Sequence, residues 1–330
     1  MEMPTSQLTG ITLKDMFDAG LHFGHQTKRW NPKMKGYIFD KRNGIHIIDL
    51  TQSVTLLDEA AAFLRDTVLA GKNILFVATK KQVAEMVKDA ATSVGQFYIT
   101  ERWLGGTLTN AKTIRSSVKR MRQLQATAKA NGGELSEHKQ EASMLRRELA
   151  KLEKNLTGIA DMAVQPGAVV VVDVVREANA VKEAVRLHIP VVAIVDTNAD
   201  PEPIDYVIPG NDDSVRGVEL ILNGLTKVVK TAADEYSAKA AEENKKREAA
   251  RKERDDAEKA ARAERKAKSA AKKPAAGAAK KATVAVNVKA AARAAKEAAE
   301  AKAKADLEAK RQAAVVEAEA AVAAAAPAAE

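Results

Sequence analysis

The sequence predicts an α/β fold in which a parallel sheet is covered by helices on both faces. Val/Ile-rich runs such as "AVVVVDVV" (168–175) and "PVVAIVDT" (190–197) lack polar alternation, which is typical of strands buried on both sides. Stretches with helical periodicity separate these runs. Strands that alternate with helices along a chain favour a parallel sheet.

The elements follow one another along the chain. A short amphipathic helix is predicted at 12–20, and Gly20 is its stop signal. The periodicity of apolar residues and the positions of turn-forming residues then predict the strands and the other helices. The strands are predicted at 45–50, 73–79, 96–100, 168–175, 190–197 and 206–210, and the helices at 54–71, 82–95, 177–187 and from Asp213 onward.

Residues 105–157 interrupt this alternation. Apolar side chains recur at spacings of three and four on both sides of a turn at "NGGE" (131–134), which predicts an inserted antiparallel coiled-coil hairpin. A first arm of about 22 residues has a length of ~33 Å at a rise of ~1.5 Å per residue. In the alternative, both helices pack flat on the sheet. Their apolar stripe is narrower than the face of a helix that packs on a sheet, which favours the coiled coil. The recurring residues are Leu108, Ala111, Ile114, Val118, Met121, Leu124 and Ala128, then Ala142, Leu145, Leu149, Leu152 and Leu156.

The chain ends in a segment of low sequence complexity, residues 237–330. It contains no aromatic residue and a single leucine, Leu307, and alanine, lysine and glutamate dominate it. Such a composition buries too little apolar surface to offset the entropy of ordering, so a disordered tail is predicted. Because these residues are good helix formers, solvated helices over 238–268 and 290–322 are the alternative.

The sequence thus divides into three predicted segments. The α/β domain comprises 8–104 and 158–236, the hairpin comprises 105–157, and the tail comprises 237–330.

The net charge of +9 is distributed unevenly. Residues 102–154 hold 12 basic and 5 acidic side chains, whereas residues 158–236 hold 6 basic and 13 acidic ones. A basic and an acidic segment in one chain indicate a polyanion as one partner and a protein as another.

Several functional classes are excluded by composition. The chain has no cysteine, so disulfides and cysteine-dependent metal or nucleophile chemistry are excluded, as expected of a protein in a reducing cytoplasm. The segment "MEMPTSQLTG" (1–10) lacks the features of a signal peptide. No apolar run approaches the ~18 residues that cross a bilayer, so no membrane association is expected.

An enzymatic function is not supported. "AGKN" (70–73) contains Gly-Lys but precedes its strand and lacks the Ser/Thr of a phosphate-binding loop. The turn "VATKKQ" (77–82) has no glycine to wrap a phosphate, so Lys80 and Lys81 are either phosphate contacts or solvated first-turn residues. No nucleophile–base pair stands at a recognisable spacing. We therefore expect no catalysis, no cofactor and no small-molecule substrate.

Four residues are weak candidates for a divalent metal site. Asp196, Asp212 and Asp213 follow predicted strands, where open α/β sheets place their ligands, and His25 could join them. The alternative is that Asp196 and Asp212 cap turns and helices, which is the more common role of such residues.

A nucleic-acid partner is better supported by the stretch "HQTKRWNPKMKGYIFDKRNG" (25–44). Cations alternate there with Trp30 and Tyr37. Cations bind phosphates, and aromatic faces stack on unpaired bases. The predicted RNA-binding residues of this stretch are Lys28, Arg29, Trp30, Asn31, Lys33, Lys35 and Arg42, with Lys41 beside them.

A second basic surface is predicted on the first helix of the hairpin. Lys112, Arg115, Lys119 and Arg122 recur at spacings of three, four and three, one residue out of phase with the apolar seam. They form a stripe turned by ~100° from that seam. The stripe lacks the interspersed acids of a salt-bridged face, so it indicates a phosphate-binding surface.

Three long stretches resemble the bacterial small-subunit ribosomal protein S-two family. They are "LKDMFDAGLHFGHQTKRWNPKMKGYIF", "RWLGGTLTN" and "AIVDTNADPEPIDYVIPGNDD", and their order and spacing match over residues 8–232. The resemblance implies a flavodoxin-like domain with a coiled-coil insertion and no enzymatic activity. It also implies binding to small-subunit ribosomal RNA where head meets body, among other small-subunit proteins, and recruitment of the S-one ribosomal protein.

The stretch "RWLGGTLTN" (102–110) leads from the sheet into the hairpin. Gly105 and Gly106 allow a sharp turn, and Thr107 or Thr109 is predicted to cap the following helix, whose N-terminus favours an anion. We expect this anion to be an RNA phosphate. Trp103 is either a wedge between hairpin and sheet or a stacking platform for a base. Arg102, Thr107, Thr109 and Asn110 complete the predicted RNA-binding set.

Overall fold

The computed structural model describes residues 5–271. Eight strands and seven α-helices follow one another along this part of the chain. The strands are β1 (Phe23–Gln26), β2 (Ile38–Arg42), β3 (Ile45–Ile48), β4 (Ile74–Val77), β5 (Phe97–Ile99), β6 (Ala168–Val172), β7 (Val191–Val195) and β8 (Tyr206–Pro209). The helices are α1 (Leu13–Asp18), α2 (Leu50–Leu69), α3 (Ala84–Ser93), α4 (Ala111–Ala130), α5 (Lys139–Leu156), α6 (Ala178–Arg186) and α7 (Val215–Ala271), with 3₁₀ turns at Pro32–Tyr37 and Thr157–Ile159.

A five-stranded parallel sheet is the centre of the fold, which confirms the predicted α/β class. Its strand order is β5-β4-β6-β7-β8. β6 pairs in register with both neighbours, with Val170 opposite Phe76 and Val192. Every residue of β4, β6 and β7 is buried, which explains why these strands read as continuous apolar runs.

Helices cover both faces of this sheet. On one face Phe76 packs with Leu57 of α2 and Leu225 of α7, and on the other Leu75 packs with Val181 of α6 and Leu156 of α5. Full burial of one such side chain contributes about 1.5–3 kcal/mol. The two layers of helices on a parallel sheet give the flavodoxin-like arrangement.

Local signals fix the helix ends. At α1 the Thr12 side chain accepts from the Asp15 amide while the Asp15 carboxylate accepts from the Thr12 amide, a complete capping box. Gly20 follows with φ of +76°, as its role as a stop predicts. Asp49 caps α2 by accepting from the Thr51 amide at 3.0 Å.

A second, three-stranded antiparallel sheet was not predicted. Its order is β1-β3-β2, and only β3 was expected as a strand. β1 and β2 are short and largely exposed, without alternating apolar residues. Their pairing depends on tertiary contacts, above all the close approach of Gly24, where an added Cβ would lie 2.7 Å from Thr197 Cγ2.

The hairpin helices pack on each other and on the domain. Arg120 of α4 bonds Glu148 of α5 at 3.0 Å, and Gln125 bonds Glu153 at 2.7 Å. Val118 of α4 belongs to the same apolar cluster as the sheet residues on that face. The two predicted alternatives therefore each describe part of the hairpin, and a coiled-coil supercoil stays a prediction.

The chain divides after Asn244 into two units. The first holds both sheets and α1–α6 with the beginning of α7. The second begins at Lys245 and contains the rest of α7, where Arg251 and Asp255 lie 4.0 Å apart. Of the predicted tail over 237–330, residues 237–271 belong to α7, and residues 272–330, including the alternative helix at 290–322, lie outside the described residues.

None of the helices within residues 5–271 has the length and apolar character of a bilayer-spanning segment.

Candidate nucleic-acid interface

The loop Arg102–Asn110 is held by one carboxylate, that of Glu183 on α6. Glu183 accepts from the Trp103 indole at 3.0 Å and from the backbone amides of Gly106, Leu108 and Thr109 at 2.7, 3.0 and 3.1 Å. The Thr109 hydroxyl donates to it as well. Burial opposes ionisation, but these hydrogen bonds outweigh it and hold the pKa of the Glu183 carboxyl below its ordinary value.

This arrangement corrects the sequence-based interpretation of the loop. The anion at its amides is Glu183, so these amides are not free for an RNA phosphate in this conformation. Neither threonine caps α4, which begins after Asn110 without a side-chain cap; the Thr107 hydroxyl donates to Leu104 O. Thr107 is also buried, so its predicted RNA contact is not supported. Sequence reasoning missed Glu183, because it lies 74 residues beyond Thr109 on an ordinary helix.

Trp103 is the wedge of the two alternatives. It is 9% exposed and packs in the apolar cluster with Leu108 and Val118, while its ring nitrogen is bonded to Glu183. Gly106 has φ of +87°, a conformation that a side chain would strain, which explains a glycine where the loop turns toward α4. The loop therefore positions the hairpin.

The basic stripe of α4 is exposed but not uniformly free. Arg115 donates to Ala163 O at 2.7 Å, and Arg122 donates to Ala160 O at 2.9 Å and to Asp161 at 2.6 Å. The side chains of Lys112 and Lys119 have no partner among the described residues. A groove of about 660 Å³ lies between α4 and residues 159–165, and Arg115, Lys119 and Arg122 line it.

The second basic surface surrounds β1, β2 and the 3₁₀ turn. The charges of Lys28, Arg29, Lys35, Lys41 and Arg42 are exposed, and within residues 5–271 none has a side-chain partner. Arg102 and Asn110 are exposed too. Trp30 is half-buried against His46, with ring centroids 5.1 Å apart.

Lys33 differs from these cations. Its ammonium bonds Asp200 at 2.9 Å and also Glu202, and these two hydrogen bonds raise the pKa of Lys33. Its charge is therefore matched within the chain. Asn31 is occupied by local structure, because its side chain caps the 3₁₀ turn at the Lys33 amide and its own amide donates to Thr197 O.

The loop after β7 contacts the basic stretch 25–44, which is distant from it in sequence. The Thr197 hydroxyl accepts from the His25 amide at 2.9 Å, and the Asp196 carboxylate bonds His25 Nδ1 at 2.8 Å. The hydrogen bond to Asp196 raises the pKa of His25 against the effect of burial. Lys33 is bonded to Asp200 and Glu202 of the same loop. The loop therefore holds the second basic surface, around β1, β2 and the 3₁₀ turn, at the carboxyl end of the parallel strands.

The weak metal candidates meet around a lysine. Lys80, in the loop after β4, lies 3.5 Å from Asp212 and bonds Asp213, while His25 bonds Asp196. Burial raises the pKa of Asp212 to about 7, reinforced by the Asp173 and Asp196 carboxylates and opposed by Lys80. Among the described residues no three His, Asp or Glu side chains are grouped to hold a metal ion. The Lys80 ammonium supplies the positive charge here. Lys80 is therefore not a solvated first-turn residue, since it is paired and α3 begins only at Ala84, and a phosphate contact stays a prediction.

Comparisons with known proteins identify the family of the chain. Residues 16–232 match the family model described as ribosomal protein S2. The chain is 51% identical over 224 residues to the small ribosomal subunit protein uS2 of Corynebacterium jeikeium, covering 68% of this chain and 79% of that protein. It is 48% identical over 222 residues to the protein of that name from Solibacter usitatus, covering 67% and 73%. It is 50% identical over 219 residues to the protein uS2c of Cyanophora paradoxa, covering 66% and 94%.

Proposed function

The chain belongs to the ribosomal protein S2 family, and from this membership we propose that it binds small-subunit ribosomal RNA as a structural part of the small ribosomal subunit. It acts in translation, in the cytoplasm, and contributes no catalytic step of its own. Other proteins of the small subunit are its neighbours there.

One observation about the surface supports the RNA contact. Cations of the second basic surface and of α4 are exposed, and their side chains have no partner within residues 5–271. They are chiefly Lys28, Arg29, Lys112 and Lys119. Exposed cations that neutralise phosphates release counterions, which supplies most of the sequence-independent affinity for RNA.

The test reverses the charge of the free lysines on α4. Lys112→Glu with Lys119→Glu removes two candidate phosphate contacts without touching the apolar side of the helix. Lys227→Glu with Lys230→Glu is the matched control, since these α7 lysines are exposed, carry the same charge change and have no partner among the described residues. Binding to small-subunit RNA is measured over a range of salt concentrations.

We expect the α4 pair to lower affinity and to reduce the log–log salt slope by about one unit per lost contact. The control pair should change both much less. Equal losses in the two variants would mean that net charge alone governs binding and that α4 is not a specific contact.

We further propose that the chain helps to recruit the S-one ribosomal protein. The supporting observation is an exposed aromatic patch, in which Phe17 and Phe23 are 55% and 50% exposed and the His22 ring contacts both at centroid distances of 4.3 and 4.0 Å. Exposed contiguous apolar surface is typical of protein interfaces. The acid-rich segment 158–236 offers fewer free carboxylates to a partner protein than its composition indicates, because most of its carboxylates are bonded within the chain.

Phe17→Ser with Phe23→Ser tests this second proposal. We expect lower occupancy of the S-one protein on assembled subunits and unchanged affinity for RNA. Phe39→Ser, at a 76% exposed position on β2, is the control for loss of an exposed phenylalanine. Glu202→Lys is a poor test, since it would place a second cation beside Lys33. Full occupancy after the double substitution would contradict a role for this patch.

A further inference from the structure

The buried ring of His46 has no hydrogen-bond partner. His46 lies in β3 and is 8% exposed, and neither Nδ1 nor Nε2 has a partner within the described residues. Each imidazole nitrogen can donate or accept one hydrogen bond. Buried polar atoms are nearly always bonded, because leaving one unbonded costs free energy. The position of this ring therefore needs an explanation beyond packing.

Trp30 covers this ring. The indole and imidazole centroids are 5.1 Å apart, and the planes are tilted by 41° instead of stacked. The backbone on either side of Trp30 is fixed: the Arg29 amide donates to Gln26 O and the Asn31 amide to Thr197 O, both at 2.8 Å. Because the backbone is held, the Trp30 ring can move away from His46 only by rotation of its side chain.

Cations surround this pair. Lys28 and Arg29 immediately precede Trp30, and Lys41 stands opposite His46 in the β2–β3 register with Arg42 beside it. All four are exposed, and none has a side-chain partner within residues 5–271. Cations that bind a phosphate backbone therefore both precede Trp30 in sequence and flank its ring partner His46 in the sheet.

We propose that Trp30 and His46 together bind one unpaired nucleotide of RNA. The Trp30 indole turns away from His46 and stacks on the base, and a His46 ring nitrogen donates to an oxygen of the adjacent phosphate. The stacking and the new hydrogen bond offset the loss of the ring contact. This inference rests on the proposed RNA-binding function and adds to it a nucleotide site whose polar residue is His46.

The site distinguishes unpaired RNA from duplex RNA. In a duplex the base faces are already stacked inside the helix, so the indole cannot reach one, whereas unpaired bases offer a free face. The surrounding cations bind both forms through their phosphates. Stacking on Trp30 is therefore specific for unpaired RNA, although the surrounding cations give both forms of RNA affinity for the chain.

The experiment uses the full chain and tryptophan emission. The chain has two tryptophans, and Trp103 is buried and bonded to Glu183, so Trp30→Phe identifies the share of the signal that belongs to Trp30. A short unstructured RNA and a duplex with the same number of phosphates are the probes. We expect the unstructured RNA to quench Trp30 and the duplex to leave its emission nearly unchanged.

His46→Phe and His46→Gln then test the polar contact. His46→Phe keeps a ring against Trp30 and removes both nitrogens, so the urea midpoint should equal or exceed that of the wild type. Its affinity for the unstructured RNA should fall about tenfold, the loss expected for one hydrogen bond to a charged group, with little change for the duplex. His46→Gln should retain more affinity, and His138→Phe makes the same change at an exposed position outside the site.

Two results would overturn the nucleotide site alone. One is RNA binding without quenching of Trp30, and the other is a folded His46→Phe that binds unstructured RNA as the wild type does. Either leaves the proposed function intact, whereas a wild-type chain that binds neither RNA overturns both. If His46→Phe does not fold, Trp30→Leu against Trp30→Tyr decides, because only tyrosine keeps a stacking face; equal affinities would refute the site.

Discussion

In the acid-rich segment 158–236 most carboxylates accept a bond from inside the chain, whereas in the basic segment 102–154 most cations extend into solvent. Glu219 and Asp234 are the acids of the first segment without a side-chain partner among the described residues. The free cations of the second are Arg102, Lys112, Lys119, Lys129, Lys139, Arg146 and Lys151, again within residues 5–271.

The contrast has a chemical cause. Carboxylates are short acceptors, so at strand ends and on α6 they bond nearby amides, hydroxyls and ammonium groups, as Glu183 and Asp196 do. Lysine and arginine carry their charge on long stems that keep it in water. The net charge of a segment, counted from its sequence, therefore differs from the charge that it leaves unpaired at the surface. Substitutions of the acids should change stability, and substitutions of the free cations should change RNA binding.

The largest effect is expected for Glu183→Ala. Removing the acceptor shared by the Trp103 indole and the loop amides should lower the free energy of unfolding by at least about 3 kcal/mol, since hydrogen bonds to a charged group contribute about 1.5–3 kcal/mol each. Urea denaturation measures this, with Glu219→Ala as the control. Because the pKa of Glu183 is lowered, its contribution is present above the unfolded pKa and is lost as the pH falls through the folded one. A Glu183→Ala protein as stable as the control would refute its role as an anchor.

His25 should give the next largest effect, and it depends on pH. Its hydrogen bond to Asp196 raises the pKa of His25, so its stabilisation is full below the unfolded value and disappears as the pH rises through the folded value. His25→Gln should therefore lower the melting temperature more at acidic than at alkaline pH. Burial lowers the pKa of His22, so His22→Gln is a control whose pH dependence has the opposite sign. Equal destabilisation by His25→Gln at both pH values would contradict the Asp196 pairing.

Asp212 is expected to be an exception among the acids. Its pKa of about 7 exceeds the ordinary value because of burial, so ionisation costs stability as the pH rises from about 4 to 7. Asp212→Asn should raise the melting temperature by about 2–4 °C at pH 8, with no gain near pH 4, in a thermal scan. A loss at pH 8 would show that the pairing with Lys80 outweighs burial.

The smallest effect is expected for Lys33→Ala on RNA binding. Since Asp200 and Glu202 already match its charge, affinity should change by less than about twofold, as for exposed ion pairs that contribute little. Lys112→Ala is the matched comparison and should cost more, with a lower salt slope. Equal losses would mean that Lys33 leaves its carboxylates on binding, and the distinction between paired and free cations would fail.

The sequence by itself determined the parallel sheet and the limits of α1. Continuous Val/Ile runs favour strands buried on both faces, and Thr12, Asp15 and Gly20 mark the limits of α1 through local hydrogen bonds and φ. The family, too, followed from the sequence, because three long motifs matched in order. These features depend on neighbours within a few residues or on composition.

Only the tertiary structure decided which charges face solvent. Glu183 meets the loop at Gly106 across 77 residues, Asp196 meets His25 across 171, and Lys33 meets Asp200 across 167. No periodicity or spacing encodes such pairs, because each joins side chains and backbone groups of elements that are far apart in sequence. The strands β1 and β2 were missed for the same reason, since their hydrogen bonds come from β3 and the close fit at Gly24 comes from Thr197. Local patterns fix what each segment becomes, and the packed sheet fixes which side chains remain available to a partner.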